Sequence, residues 1–83
     1  MVYSVLTLRR SDHTHMLDHF DTPEKATRKF VSVARFNSPV PPSEGFLADF
    51  RAQVLMAVKS GDKVAWSTED DNVTVIVQTI QVR

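Results

Sequence analysis

Three histidines within seven positions are the residues of this chain most capable of chemistry. They are His13, His15 and His19, and they lie in the segment SDHTHMLDHFDTP together with three aspartates. Histidine is a common zinc ligand, and a carboxylate can complete its coordination. The first hypothesis is therefore a metal centre, with these three histidines as weak candidate ligands.

Part of this segment, HTHMLDH, is similar to the His-x-His-x-Asp-His loop of the metallo-β-lactamase superfamily, in which the zinc ligands lie at the end of a strand. The positions that would correspond are His13, His15, Asp18 and His19. One extra residue separates His15 from Asp18, and the similarity covers only a short run of the chain. No histidine follows His19, so the ligands that the family takes from later loops are missing. These departures exclude membership of that family.

The same segment also fits a β-strand with one solvent-facing side. Because side chains alternate along a strand, His13, His15 and His19 would all lie on one face, together with Leu17. Only His13 and His15 would be close enough to share a tetrahedral zinc site without a bend, and a carboxylate would have to complete it. We therefore expect surface histidines rather than a functional metal site, and no cofactor.

The composition indicates one small folded domain, residues 1–83, with balanced charge. Its hydrophobic fraction of 42% is too high for a disordered segment. Ten basic residues balance ten acidic ones, whereas nucleic-acid-binding domains are usually basic because phosphate contacts supply much of their affinity. The absence of cysteine excludes disulfides and thiolate chemistry. No apolar run approaches the length of a membrane span, and we expect a cytoplasmic protein with no membrane partner.

The predicted elements follow the order strand-strand-helix-helix-strand-strand. Their predicted bounds are strands 2–9 and 14–20, helices within 22–37 and 43–59, and strands 63–68 and 73–82. Thr22 and Ser43 are expected N-caps, and Asn37 and Gly61 are expected to end the first and second helix in a left-handed conformation. The proline-rich run PVPP separates the two helices. Two hairpins should join in one four-stranded antiparallel sheet with both helices packed on one face. The predicted fold class is α+β, with the order of the strands in the sheet left open.

No group of residues in the sequence has the spacing of a catalytic site. Nothing resembles a Gly-x-Ser-x-Gly elbow, and the two glycines are too few for a glycine-rich phosphate loop. All histidines lie close together near the N-terminus, so a catalytic triad would have to be built around one strand. We predict that the protein is not an enzyme and has no catalytic residues.

The last predicted strand is apolar on both faces. Its apolar residues are Val73, Val75 and Val77 on one face, and Ile76, Ile80 and Val82 on the other. Two helices can cover only one face of a four-stranded sheet, so the second face needs a second copy or a partner, unless the twist of the sheet hides it. Trp66, in the neighbouring strand, could lie on either face.

The first helix has a basic face on the side away from Phe30. Its basic residues are Lys25, Arg28, Lys29 and Arg35. Arg9 and Arg10 could lie nearby if the first hairpin packs close to this helix. Such a face could dock on an acidic protein surface or on phosphates, and it could equally be an ordinary solvated helix face.

These features lead to three functional expectations. The first is a small non-enzymatic protein-binding module, which could be a homodimer or a phage or mobile-element accessory protein that inhibits or modulates a larger host protein by occupying its surface. The expected partner-binding residues are Lys25, Arg28, Lys29, Arg35, Trp66, Ile76, Ile80 and Val82. The second expectation is nucleic-acid binding through the basic face of the first helix, and the third is a histidine-centred metal site.

Overall fold

The chain has the predicted order ββααββ in a computed structural model that describes residues 2–40 and 42–80. The elements are β1 (Val2–Arg9), β2 (Thr14–Phe20), α1 (Pro23–Phe36), α2 (Glu44–Lys59), β3 (Val64–Ser67) and β4 (Val73–Ile80). All four strands form one antiparallel sheet in the order β2-β1-β4-β3. This confirms the α+β fold, and it places β1 and β4 side by side at the centre.

The core lies between the sheet and the two helices. Val5 in β1 pairs with Val77 in β4, and both side chains are fully buried against the helices. Phe30 of α1 is equally buried and belongs to the same cluster, as do Val54 and Val58 of α2. Burying side chains of this size contributes roughly 1.5–3 kcal/mol each, so this layer supplies most of the stability of the fold.

The N-terminus of each helix is fixed by the cap that the sequence predicts. The Thr22 hydroxyl accepts a hydrogen bond from the Lys25 backbone N–H at 3.2 Å, and Pro23 occupies the start of α1. The Ser43 hydroxyl accepts one from the Phe46 backbone N–H at 3.2 Å. Each cap satisfies a backbone donor that has no partner within its helix.

The C-terminus of α1 differs from the sequence-based expectation. Asn37 was expected to adopt a left-handed conformation, but its φ is −97°. Its side-chain amide instead donates to the Val33 carbonyl oxygen at 2.8 Å, and the Ser38 hydroxyl donates to the Ala34 carbonyl oxygen at 2.8 Å. Side-chain donors therefore satisfy the last carbonyls of α1. After α2, Gly61 does take the expected left-handed conformation, with φ at 84°.

Each helix packs its apolar face against the core, as its sequence pattern indicates, although the extent of burial varies along the helix. Besides the apolar residues Ala26, Phe30 and Ala34, α1 buries Thr27 and Val31, because it packs against both the sheet and α2. In α2 the fully buried residues are Val54 and Val58, both in its second half. Phe46, near its start, is 59% exposed and stacks on Phe50 with 5.9 Å between ring centroids.

The two hairpin turns are tied together by Asn72. Its backbone carbonyl accepts a hydrogen bond from the Arg10 N–H at 2.7 Å, and its side-chain oxygen accepts one from the Ser11 N–H at 2.9 Å. Each turn contains one residue with positive φ, His13 at 52° and Asp71 at 57°. Asn72 therefore extends the pairing of β1 with β4 into the turn that connects β1 to β2.

Thr27 gives a first test of this packing. It is 1% exposed, and its hydroxyl has no hydrogen-bond partner among the described residues. A buried hydroxyl without a partner costs free energy, so Thr27→Val should raise the free energy of unfolding by about 1 kcal/mol. Thr27→Ser, which keeps the hydroxyl and removes a methyl group, should lower it by about 1 kcal/mol. Urea denaturation measures both changes, and a less stable Thr27→Val would contradict this account.

Asp70 gives a second test, through pH. The Thr68 hydroxyl donates to its carboxylate at 2.6 Å and the Asn72 backbone N–H at 3.1 Å, and these bonds lower the pKa of Asp70. A lowered pKa adds stability above the unfolded-state value, near 3.9, and this stability is lost as pH falls through the folded-state pKa. Asp70→Asn should therefore be less stable than the wild type at pH 7.

This stability difference should shrink as the pH falls below about 4, because the wild-type carboxylate is then protonated as well. Thermal denaturation across that pH range measures it. Glu69→Gln is the matched control, since the Glu69 carboxylate takes no part in the two hydrogen bonds of Asp70. If the difference in stability between the wild type and Asp70→Asn were the same at every pH, the charge of the Asp70 carboxylate would not be the cause of that difference.

Candidate protein-binding surfaces

The side of the sheet opposite the helices, which we call the open face, carries side chains from all four strands. Its residues are Val2, Ser4, Leu6, Leu8, His15, Leu17, His19, Ala65, Ser67, Thr74, Ile76, Gln78 and Ile80. Within residues 2–40 and 42–80, both helices pack on the other side, so neither covers this face. Ile76 and Ile80 lie on this face, on the side of β4 opposite Val73, Val75 and Val77, as their alternation in the sequence predicts.

An apolar row crosses the open face at its centre. The row consists of Leu17, Leu6, Ile76 and Ala65, one residue from each strand in the order of the sheet. Leu17 is 53% exposed, whereas Leu6 and Ile76 are half-buried. Ile80, further along β4, is 37% exposed. The twist of the sheet therefore does not hide these side chains.

Polar residues border the apolar row on both sides. On one side are His15, Thr74 and Ser67, with the exposed Leu8 between the first two, and the hydroxyls of Thr74 and Ser67 lie 3.1 Å apart. On the other side are His19 and Gln78, which flank Ser4 from the two neighbouring strands and leave it only 2% exposed. An apolar centre with a polar border is the usual anatomy of a protein–protein interface.

The ionisable side chains of the open face are all basic. Besides the two histidines, Lys63 at the start of β3 lines a shallow depression of about 280 Å³ together with Leu17, Leu6 and Ile76. No aspartate or glutamate among the described residues lies on this face. The open face therefore has no negative charge of its own and can attract carboxylates.

The size of the open face is in the range of an interaction surface. With about 4.8 Å between strands and about 3.3 Å per residue, the 27 residues of the four strands give a face of roughly 430 Å². The largest apolar patches of monomeric proteins reach about 300–600 Å² and are often functional. A standard interface buries about 800 Å² per partner, so this face would make most of a small interface.

The three histidines do not converge. His13 lies in the turn before β2 rather than on the strand, so the expectation that it shares a face with the other two is wrong. His15 pairs with Leu8 and His19 with Ser4, and four residues along a strand separate them by about 13 Å. Over the residues that the structure describes, no three His, Cys, Asp or Glu side chains form a group that could hold a metal ion.

The basic residues of α1 line a groove beside the edge of the sheet. This basic groove, of about 400 Å³, is formed by Phe20, Lys25, Arg28, Lys29 and Ser32. Lys25 forms an ion pair with Asp21, with 3.0 Å between Nζ and Oδ1, and this contact lowers the pKa of Asp21. Arg28 and Lys29 form no ion pair with any described residue. Their charges are available to an external anion.

The other arginines lie away from the basic groove. Arg9 and Arg10 line a separate depression with His13 and His15, close to the turn between β1 and β2. Arg9 and Arg10 therefore do not line the basic groove of Lys25, Arg28 and Lys29. Arg35, in the last turn of α1, is exposed and lies about 10 Å along the helix from Arg28.

Two other predicted partner-binding residues lie apart from the open face or outside the described ranges. Trp66 pairs with Val75 and packs against the core on the helix side of the sheet. Val82 lies outside the described residues. Leu6 and Leu17 belong to the apolar row but were not predicted as site residues. The signal that could have found them is the alternation of Leu6 with Val5, combined with the pairing of β1 and β2.

A zinc titration tests the separation of the histidines. We expect no zinc binding tighter than about micromolar, because a tight site needs three or four donors at about 2.0–2.2 Å from the metal. His13→Ala and His15→Ala should each leave the affinity in isothermal titration calorimetry unchanged. One-to-one nanomolar binding that His13→Ala abolishes would contradict this geometry.

The sequence matches no protein-family model, and no curated protein is significantly similar to it. Across residues 2–40 and 42–80, neither helix has the length and apolar character needed to cross a membrane.

Proposed function

We propose that the protein is a non-enzymatic protein-binding module that docks on a larger protein through the open face. The observation that carries this proposal is the uncovered apolar row, in which Leu17 is 53% exposed and Leu6 and Ile76 are half-buried. Removing such side chains from water on binding provides about 25 cal/mol per Å² of apolar surface, before the costs of association.

The charge of the open face favours a partner with carboxylates around an apolar patch. Lys63, His15 and His19 are its ionisable residues, and Lys63 lies next to the apolar row. Carboxylates on the partner would pair with Lys63 at the border, where such contacts raise the association rate and the specificity. The apolar patch of the partner would cover Leu17 and Ile76.

A second copy of the same chain fits the open face less well. Most homodimers use a two-fold axis, so that the same patch of each copy contacts its counterpart. Two open faces in contact would bring together only basic ionisable groups, Lys63, His15 and His19, with no acid to compensate them. Self-association of this face is therefore electrostatically unfavourable, and a different protein with acidic residues is the favoured occupant.

In this proposal the module acts by occupying a surface that its partner needs for something else. Inhibition or modulation of a host protein by a phage or mobile-element accessory protein would be one instance of such action.

Nucleic-acid binding through Arg28, Lys29 and Arg35 is the second candidate function, supported by the absence of ion pairs to them among the described residues. Balanced charge over the whole sequence argues against it.

Aspartates placed in the apolar row test the proposal. The wild type, Leu17→Asp, Ile76→Asp and Met56→Asp are immobilised and exposed to an extract of the cells that produce the protein naturally. Met56 is 70% exposed on α2, away from the open face, so Met56→Asp is the matched control. The partner that the wild type retains is then purified, and its dissociation constant for each variant is measured.

Each aspartate in the apolar row should weaken binding at least about tenfold, or 1.4 kcal/mol, whereas Met56→Asp should bind as the wild type does. Circular dichroism verifies that every variant is folded. If the wild type retains no protein that Leu17→Asp loses, the proposal is wrong. If light scattering shows a dimer that Leu17→Asp dissociates, the open face binds a second copy instead. Binding to DNA or RNA that Arg28→Ala and Lys29→Ala abolish would favour the second candidate function.

A further inference from the structure

The edge of β2 and the basic groove form a second surface, separate from the open face. We propose that this surface binds an extended acidic segment of a partner protein as a fifth strand of the sheet, with the acidic side chains of the segment held by Lys25, Arg28 and Lys29. Addition of a strand to a sheet edge is a common mode of peptide recognition.

The backbone of β2 is suited to this pairing. It is the edge strand of the sheet, joined to β1 by a register of seven residue pairs, and its other side faces no strand among the described residues. Between Thr14 and Phe20 it contains no proline, glycine or residue with positive φ. β2 therefore offers a regular row of backbone donors and acceptors. The opposite edge strand, β3, is only four residues long.

The basic groove lies where the side chains of an added strand would point. Phe20, the last residue of β2, lines the groove together with Lys25, Arg28 and Lys29 from α1. An added strand would lie about 4.8 Å beyond β2, and alternate side chains would point to the helix side. Acidic side chains there could reach Arg28 and Lys29, which have no ion pair with any described residue.

Asp18 determines where along the segment the acids belong. It lies on the helix side of β2, and its Oδ2 atom is buried without a hydrogen-bond partner among the described residues. A carboxylate directly opposite Asp18 would be repelled by its charge, whereas a neutral threonine would not. The segment that fits therefore has threonine opposite Asp18 and acidic residues towards Phe20, with apolar residues at the alternate positions, on the side of the open face.

Two other occupants fit this surface less well. A second copy pairing through its own β2 would offer only Asp18 as a carboxylate on the helix side of that strand. Nucleic acid would find only three basic residues in the groove, one of which, Lys25, is already paired with Asp21. An acidic extended peptide uses both the backbone edge and the charges.

The test uses a fluorescent peptide of about eight residues with valine at alternate positions, threonine between them in one half and aspartate in the other. Binding is measured by fluorescence anisotropy, and its location by the amide shifts of the labelled protein in two-dimensional NMR. The control peptides are one with lysine replacing aspartate and one with N-methylated backbone amides, which cannot pair with a strand. Protein variants are Arg28→Glu, Lys29→Glu and, as a matched charge control on α2, Arg51→Glu.

The aspartate peptide should shift the amides of β2 and not those of β3. Its dissociation constant should rise at least about tenfold in Arg28→Glu and Lys29→Glu and stay unchanged in Arg51→Glu and Ile76→Asp. The lysine and N-methylated peptides should each bind at least about tenfold more weakly than the aspartate peptide to the wild type. No binding, equal binding of the N-methylated peptide, or shifts elsewhere would overturn this inference.

Two further outcomes would identify another occupant. A concentration-dependent dimer whose formation shifts the amides of β2, together with no binding of the aspartate peptide, would show that β2 pairs with a second copy. Tighter binding of a single-stranded oligothymidylate than of the aspartate peptide, lost in Arg28→Glu, would show a nucleic-acid site. The Ile76→Asp variant separates this inference from the proposed function, because Ile76 lies on β4, two strands from β2, so that the substitution removes binding through the open face and leaves the β2 edge and the basic groove intact.

Discussion

The structure depends on one geometric constraint, which is that two helices can cover only one face of a four-stranded sheet. The core forms where α1 and α2 meet Val5, Val75 and Val77, and these side chains are fully buried. β1 and β4 are apolar on their other face as well, through Leu6 and Ile76, and the described chain has no further element to place there. The same arrangement that builds the core therefore creates the open face.

Much of the fold could be predicted from local sequence, because its determinants act over a few residues. Thr22 and Ser43 mark the starts of the helices by side-chain capping, and the alternation of residues 73–80 shows a strand with two apolar faces. The end of α1 could not be predicted in the same way. An asparagine at this position can end a helix either by adopting a left-handed conformation or by donating its side-chain amide to a carbonyl such as that of Val33, and the sequence does not distinguish the two.

The candidate site could be predicted only in part, because it depends on long-range register. Ile76 was recognisable from β4 alone, whereas the apolar row exists only because Leu6 pairs with both Leu17 and Ile76. The order of the strands in the sheet decides whether these residues become neighbours, and that order could not be predicted from the sequence. The histidines show the converse, since His13 was assigned to the strand by spacing, although a positive φ places it in the turn.

The position of β1 next to β4 also governs when the protein can fold during synthesis. The central pair joins Val5 with Val77, which lie far apart in the sequence, so Val5 gains this neighbour only once residues 73–80 have been synthesised. Pairing between segments so distant in sequence slows folding. Until β4 is in place, the apolar side chains of β1, Val5 and Leu6 among them, therefore lack the strand that flanks them on one side.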